Sequence, residues 1–483
     1  MDSANTDKSP SRWAALYDWL DDRTGIKAAT DSALNEPIRG GARWAYVFGS
    51  ALLFLFAVMV ATGIAMTFYY VPSADHAHTS VAYIQKAVPG GKLIRGLHHY
   101  GASAMIIVAV MHLTQVFLFG AYKQRRELIW LTGALMFLIV LGFSFTGYLL
   151  PWDQAAYFGT KVGASIAGEI PVVGPLQRRI MLGGEELTTI TLSRFFTTHV
   201  FLLPLSLVGL VSLHLLFFRR AGPAGPYHDR DDKRVERFYP RQLFKDSVAM
   251  LVVFLILVYL AYRAPAELGP VADPTSDYLA RPPWFFMPLF QLLKYFPGQT
   301  SLIPIMGIPA LLFGLMFLLP FIDKSAERHP LKRKLGVSLL ALFIFGAVGL
   351  MGLAQYQDAH HPEFGPKLAE QEKEMHAFLN TPFQPQEIGG AKAASADVSK
   401  VATPPAPYVA KCAVCHGDKG QGDISPGLIG VAAKPQRTRG DLLKILEDAR
   451  SYGLKKPMPE SFPTLSAEEK AQIVDWLLTL KAK

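Results

Sequence analysis

Seven stretches of the chain are apolar over about 20 residues, the length at which a helix crosses roughly 30 Å of hydrocarbon. They are 46–69, 100–119, 128–149, 198–218, 245–263, 302–322 and 335–354, labelled spans A to G. The pattern predicts seven membrane helices. Residues 12–26 are amphipathic and read as a helix, either lying on the membrane surface or simply soluble. Beyond span G the pattern changes. Residues 357–404 are polar and rich in Ala, Pro, Glu and Lys, and read as a linker with one helix near 364–380. Residues 405–483 read as a compact polar unit whose last helical pattern covers about Ala467–Leu480. The expected fold is an all-α membrane protein of seven transmembrane helices, with a C-terminal all-α domain.

Composition agrees with this division. Charged residues are 18% of the 483, short of the roughly one quarter usual in soluble chains. A disordered chain and a purely soluble enzyme are both disfavoured. Two cysteines cannot build a disulfide framework. The net charge of +9 is concentrated in alternate loops. The D–E loop holds Arg219, Arg220, Arg230, Lys233, Arg234, Arg237 and Arg241, and the F–G loop Lys324, Arg328, Lys332, Arg333 and Lys334. The short B–C loop adds Lys123, Arg125 and Arg126, whereas the long E–F loop is poor in Lys and Arg. The B–C, D–E and F–G loops are therefore expected to be cytoplasmic, with the N-terminus inside and the C-terminal domain outside. The basic charge reports topology, and no nucleic-acid partner is needed to explain it. Nothing at the N-terminus resembles a cleaved signal peptide.

Histidines within the spans carry the strongest chemical signal, because ionisable groups in a bilayer are functional candidates. Span B and its approach hold His98 and His112; span D holds His199 and His214. The spacings of 14 and 15 residues are both close to four helical turns, so each pair shares a face and is about 21 Å apart along its helix. Both spans run from outside to inside. His98 and His199 therefore share the outer level, and His112 and His214 the inner one. Two haems can be clamped there, one above the other. Spans A and C show the same period in glycine: Gly49 and Gly63, Gly133 and Gly147. Glycine in a span often serves helix packing; at this period it would also leave room for a flat macrocycle.

Cys412-Ala413-Val414-Cys415-His416 is the attachment motif of c-type haem, in which two thiols bond the porphyrin and the histidine ligates iron. Met458 is the only methionine after His416 and lies between two prolines. It is the expected sixth ligand, a choice that raises the reduction potential and suits electron transfer.

These residues resemble cytochrome b of the quinol–cytochrome c reductase (Rieske/cytochrome b) complexes over about 12–356. Further matching segments are Gly147-Tyr148-Leu149-Leu150-Pro151-Trp152-Asp153-Gln154 and Ser193-Arg194-Phe195-Phe196. The 14/15 spacing is similar to the chloroplast-type branch, in which cytochrome b is split into a four-helix part and a three-helix subunit IV. Here 1–222 would be the di-haem part and 223–356 the fused subunit IV-like part, with 357–404 a linker. Residues 405–483 look like a class I monohaem cytochrome c. That branch also binds a haem through one cysteine before span A; Val47 stands at the matching place here, so no such haem is expected.

The resemblance implies two non-covalent b haems, one covalent c haem, and quinol and quinone as substrates. It implies Arg95 and Arg194 as propionate partners, and Arg126 at the inner haem. An outer quinol pocket would include Pro283 and Trp284, where the family's Pro-Glu-Trp-Tyr reads Pro282-Pro283-Trp284-Phe285. Proline cannot accept a proton, so Asp277, Asp153, Glu185 or Glu186 would have to replace the missing Glu. An inner quinone pocket would use Lys245 and Asp246. The partners implied are a Rieske iron–sulfur protein and a soluble or membrane cytochrome c or oxidase, in a homodimeric, proton-translocating complex of the bacterial cytoplasmic membrane. Two other readings keep the haems and give the chain a different role. One is a transmembrane electron conduit that does not split electrons, and the other a haem-bearing anchor.

Overall fold

The computed structural model describes residues 11–225, 234–384, 403–416, 419–420, 428–429, 431, 437–447 and 465–480. The chain forms two compact units, Met1–Phe383 and Gln384–Lys483.

The first unit begins with two short helices, α1 (Arg12–Thr24) and α2 (Ile26–Leu34). Neither buries a residue within the unit, and Trp13, Trp19 and Ile26 are exposed. There follow α3 (Trp44–Thr67), α4 (Ala77–Lys86), α5 (Gly91–Leu118) and α6 (Glu127–Tyr148). Next come α7 (Gln154–Gly168), α8 (Gly174–Leu182), α9 (Thr189–Ala221) and α10 (Phe238–Arg263). The unit ends with α11 (Met287–Leu293), α12 (Gly298–Ile322), α13 (Lys334–His360) and α14 (Phe364–Asn380). Among the described residues, seven of these helices are long and apolar enough to cross a membrane: α3, α5, α6, α9, α10, α12 and α13. Each overlaps one expected span. Most run past it at one end, because hydropathy marks only the lipid-facing length; α5 thus takes in His98 in its second turn.

Two of the crossing helices contain a wide turn of π geometry, at Thr198–Leu202 and Ile303–Gly307, and α10 opens on a kink at Phe238–Gln242, where Tyr239 is extended. Each wide turn lies at or beside a proline, Pro204 and Pro304. A proline ring clashes with the carbonyl four residues back, and a wide turn opens the space. A π turn also inserts one extra residue. In α9 it absorbs the difference between the 15-residue histidine spacing there and the 14 of α5.

Helices α3, α5 and α10 pack around Ala51, Leu55, Leu97, Met105, Ile106 and Leu257. Their approach is close: a Cβ on Gly96 would stand 2.6 Å from that of Ala261. Helix α6 contacts α12 through the Trp130 indole, which donates to the Met316 carbonyl at 2.6 Å. Arginines close the helix ends on the side expected to be cytoplasmic. Arg333 donates to the carbonyls of Phe117 and Leu118, Arg328 to that of Phe119, and Arg126 to those of Ala221, Gly222 and Pro223. Cations at helix C-termini satisfy the last carbonyls and oppose the dipole.

The stretch expected to be a linker begins as part of this unit. Phe378, Leu379 and Phe383, at and just after the end of α14, pack on Val81, Ala82 and Leu268. Lys86 lies over the Phe378 ring, 3.7 Å from its centroid, and bonds its carbonyl. The C-terminal end of α13 is tied to the loop before α11: Arg281 forks onto Asp358 at 2.7 and 2.8 Å, and both side chains are largely buried. Replacing Asp358 with Ala strands that guanidinium. The expected cost is about 3 kcal/mol, read as a lower thermal transition of the purified protein.

The second unit packs Tyr408, Cys412, Leu442, Ile445, Leu446, Ile473, Val474 and Leu477 into one core. Among the described residues its helices are α15 (Ala406–Lys411), α16 (Ala413–His416), α17 (Arg439–Glu447) and α18 (Ala467–Thr479). Ser466 and Glu469 form a reciprocal cap that starts α18.

Candidate functional site

The four intramembrane histidines face the glycines of a neighbouring helix, level by level. A Cβ on Gly63 of α3 would stand 3.3 Å from the His98 ring of α5, and one on Gly49 would stand 3.7 Å from His112. On the other side, a Cβ on Gly147 of α6 would stand 2.6 Å from the His199 ring of α9, and one on Gly133 would stand 3.5 Å from His214. The glycine period thus makes room first for the imidazoles themselves. At the outer level the rings of His98 and His199 have centroids 6.2 Å apart. Two imidazoles on opposite sides of one metal, at a nitrogen–metal bond of about 2 Å, need a separation of this size.

Hydrogen bonds assign the protons. Nδ1 of His98 lies 3.0 Å from the Thr62 hydroxyl, that of His199 3.1 Å from Thr146, and that of His214 2.9 Å from Thr132. Each hydroxyl donates its one hydrogen back to a carbonyl of its own helix, at 2.7 Å to Val58, 2.8 Å to Gly142 and 2.8 Å to Leu128. With that hydrogen used, the ring nitrogen must be the donor. Nδ1 then carries the proton, and Nε2 keeps the lone pair that ligates a metal. This arrangement orients a ligating histidine and makes it a stronger donor. The donor set and the glycine clefts fit two haems, which His98 with His199 and His112 with His214 would hold. Sequence reasoning missed the threonines. Their signal is present: Thr62, Thr132 and Thr146 each directly precede a cleft glycine.

The arginines expected at the propionates each bond to the protein itself. Arg95 is buried and donates to Gln85, to the Ala266 carbonyl at 2.9 Å and to the Glu267 carbonyl. It braces α4 and α5 against the loop after α10. Arg194 donates to the Ile180 carbonyl at 2.7 Å, and Arg126 caps α9. These contacts arise between residues far apart in sequence, as in the Arg95–Ala266 pair, and spacing cannot reveal them.

At the outer loops, Pro282 to Phe285 turn into α11, with the Pro283 carbonyl accepting from Phe286 at 2.9 Å. The Trp284 indole donates to Ser103 of α5 at 3.1 Å. Phe285 packs against the α3–α5–α10 core. The expected carboxylates separate in role. Asp153 spends both oxygens on backbone, accepting from Ala156 as the cap of α7 and from Gly269 across to the next loop. Asp277 is exposed and paired with Lys367; Glu185 is exposed and paired with Arg179. Glu267, overlooked in the sequence, lies in the outer loop. Desolvation, and then the charge of Asp153, push its carboxyl above the usual range.

At the inner loops, Asp246 is buried at 2% exposure and accepts from Gln242 at 2.8 Å and Ser50 at 2.9 Å. Lys245 turns away, donating to the Ala42 carbonyl at 3.3 Å beside Trp44. The two expected quinone contacts are therefore on adjacent residues with divergent side chains. Ser50 follows Gly49, so the partner of Asp246 sits one residue from the inner histidine cleft.

In the second unit Cys412 is buried, and Cys415 and His416 fall in α16. The His416 amide donates to the Cys412 carbonyl at 2.9 Å, setting them one helical turn apart. Met458 lies outside the described residues.

Comparison with known proteins follows this division. Residues 35–222 match the family model Cytochrome b/b6/petB, 271–364 match Cytochrome b(C-terminal)/b6/petD, and 406–481 match Cytochrome c. The menaquinol:cytochrome c reductase cytochrome b subunit of Geobacillus thermodenitrificans is 42% identical, over 44% of this chain and 98% of its own length. The cytochrome bc complex cytochrome b subunit of Chlorobaculum thiosulfatiphilum is 35% identical, over 62% of this chain and 72% of its own. A solved chain described as hyperthermophilic respiratory Complex III aligns with a TM-score of 0.64 at 26% identity, over 75% of this chain and 96% of that one.

Proposed function

We infer that this chain, which belongs to the cytochrome b/b6 family and is the cytochrome b-type subunit of a bc-type reductase with its own cytochrome c domain, oxidises quinol at its outer face. The observation that carries this reading is the paired glycine–histidine clefts at two levels, three of them with a threonine-fixed ring. His98 and His199 would hold the outer b haem, and His112 and His214 the inner one. Cys412 and Cys415 would attach the c haem, with His416 and Met458 as its ligands. These haems supply one-electron transfer across the membrane and onward to an acceptor.

The protein's own residues do the remaining work. Trp284 and Phe285, held by Ser103 and the α3–α5–α10 core, wall the outer quinol pocket near Pro283. Glu267, in the loop after α10, would take the proton that Pro283 cannot, its raised pKa suiting an acceptor. Asp246 would hand a proton to quinone at the inner face; the Lys245 side chain diverges from it and would act there only through its charge. Nothing in this chain supplies iron–sulfur ligands, so a Rieske protein accepts the other quinol electron. The loop charges favour a cytochrome c domain outside a bacterial cytoplasmic membrane, with proton release on that side. A dimer of such complexes completes the assembly.

The test is a haem inventory of the purified complex with identified subunits, expected to give b and c haems at about two to one, together with a co-purifying Rieske protein. Another ratio defeats the ligand assignment. Pro283 favours a second reading, a conduit that does not split electrons. Quinol:cytochrome c activity sensitive to outer-site inhibitors rejects it.

A further inference from the structure

The four histidine clefts are not equivalent. Thr62-Gly63, Thr132-Gly133 and Thr146-Gly147 each bring a hydroxyl to a ring nitrogen. The fourth position reads Phe48-Gly49. Nδ1 of His112 is buried and has no hydrogen-bond partner. The neighbouring Ser50 hydroxyl donates to Asp246 at 2.9 Å and makes no bond to the His112 ring. Phe48 itself packs into the apolar core between α3, α5 and α10. A buried donor without an acceptor is costly and uncommon, so this one calls for an explanation. The difference is intrinsic to the sequence of α3: the same helix supplies a threonine to the outer histidine and a phenylalanine to the inner one.

We propose that Phe48 is a positioning and tuning residue: by withholding an Nδ1 acceptor from His112, it raises the reduction potential of the haem that His112 and His214 hold. The inference rests on the assignment of those two histidines as axial ligands. Its physical basis is direct. An Nδ1–H bonded to an acceptor makes the imidazole a stronger donor. The ferric ion carries one more positive charge than the ferrous ion and gains more from a stronger donor. Removing the acceptor therefore favours the reduced form. His214, with Thr132 behind it, keeps its acceptor. The inner haem thus has one supported and one unsupported ligand, whereas both outer ligands are supported.

The experiment is a redox titration of the purified complex, following the b-haem absorbance, with low-spin ferric EPR as the second readout. Phe48→Thr is expected to weaken reduction of one b haem about tenfold, a fall of about 59 mV for one electron. Its EPR signal should shift, with the haem count unchanged. Phe48→Val removes the ring without supplying oxygen and is expected to leave the potential in place. Thr132→Val, at the other ligand of the same haem, is expected to raise it. Equal shifts in Phe48→Thr and Phe48→Val, a shift of the other b haem, or no shift in Phe48→Thr would overturn the proposal. Haem loss in both Phe48→Thr and Phe48→Ser also overturns it, because Phe48 would then act through packing. His112→Ala tests the ligand assignment by itself. If it leaves both b haems bound, that assignment has failed, and the tuning role falls with it for that distinct reason.

Discussion

Replacing His98 with alanine is expected to halve the b-haem content and to abolish quinol:cytochrome c turnover, while the c haem stays bound. His98 is one of two rings 6.2 Å apart at the outer level, and its Nδ1 is held by Thr62. Without that imidazole the outer haem would lose one of the two side chains that would hold it. Loss of an outer-shell partner alone costs about 10- to 100-fold at metal sites, and loss of the ligand should exceed that. The measurement is the b-to-c ratio from difference spectra, taken with steady-state activity. The c haem is the internal standard, because it belongs to a separate compact unit. Two b haems in His98→Ala would rule out His98 as a ligand, and full turnover with one b haem would favour an anchor role.

The second large effect concerns glycine. Gly147→Ala is expected to abolish the outer b haem, and Gly49→Ala to be nearly silent. The contrast rests on distance. A methyl at 147 would stand 2.6 Å from His199 and a methyl at 49 would stand 3.7 Å from His112. The first is an overlap that must displace the ring or separate α6 from α9. The second is ordinary contact. Gly63 and Gly133, at 3.3 and 3.5 Å, should fall between. Overpacking of this kind costs about 1–3 kcal/mol or more. The ranking 147, 63, 133, 49 in b-haem occupancy is the check. Equal losses at all four positions would mean that the macrocycle, and not the histidine ring, limits the space.

Much of this site could be read from the sequence, and the reason is geometric. Apolar length reports membrane crossing directly, and a helix converts sequence separation into height. Four histidines and four glycines at nearly one period therefore placed themselves in two levels. Cys412, Cys415 and His416 were legible for a simpler reason, since they sit within one helical turn and need no distant partner to be recognised. What stayed hidden depends on contacts between distant segments. Arg95 reads as a charge beside His98, yet its guanidinium is committed to the Ala266 and Glu267 carbonyls. Asp153 reads as a free carboxylate near a quinol pocket, yet it joins two loops through Ala156 and Gly269. Helix α14 reads as linker because its exposed face is polar. Phe378 and its neighbours find Val81 and Leu268, and Lys367 finds Asp277, all in distant segments, which makes it part of the first unit.

The wide turn at Thr198–Leu202 bears on how such chains tolerate insertions. An added residue in a regular helix rotates everything beyond it by about 100° and would swing His214 off the face it shares with His199. Here the surplus is looped out within one turn, where Pro204 already interrupts the regular ladder. A helix of this kind can gain or lose a residue at that place without changing the height of its ligands. Histidine separations of 14 and 15 are then two spellings of one structure, and the count alone does not sort lineages by haem geometry.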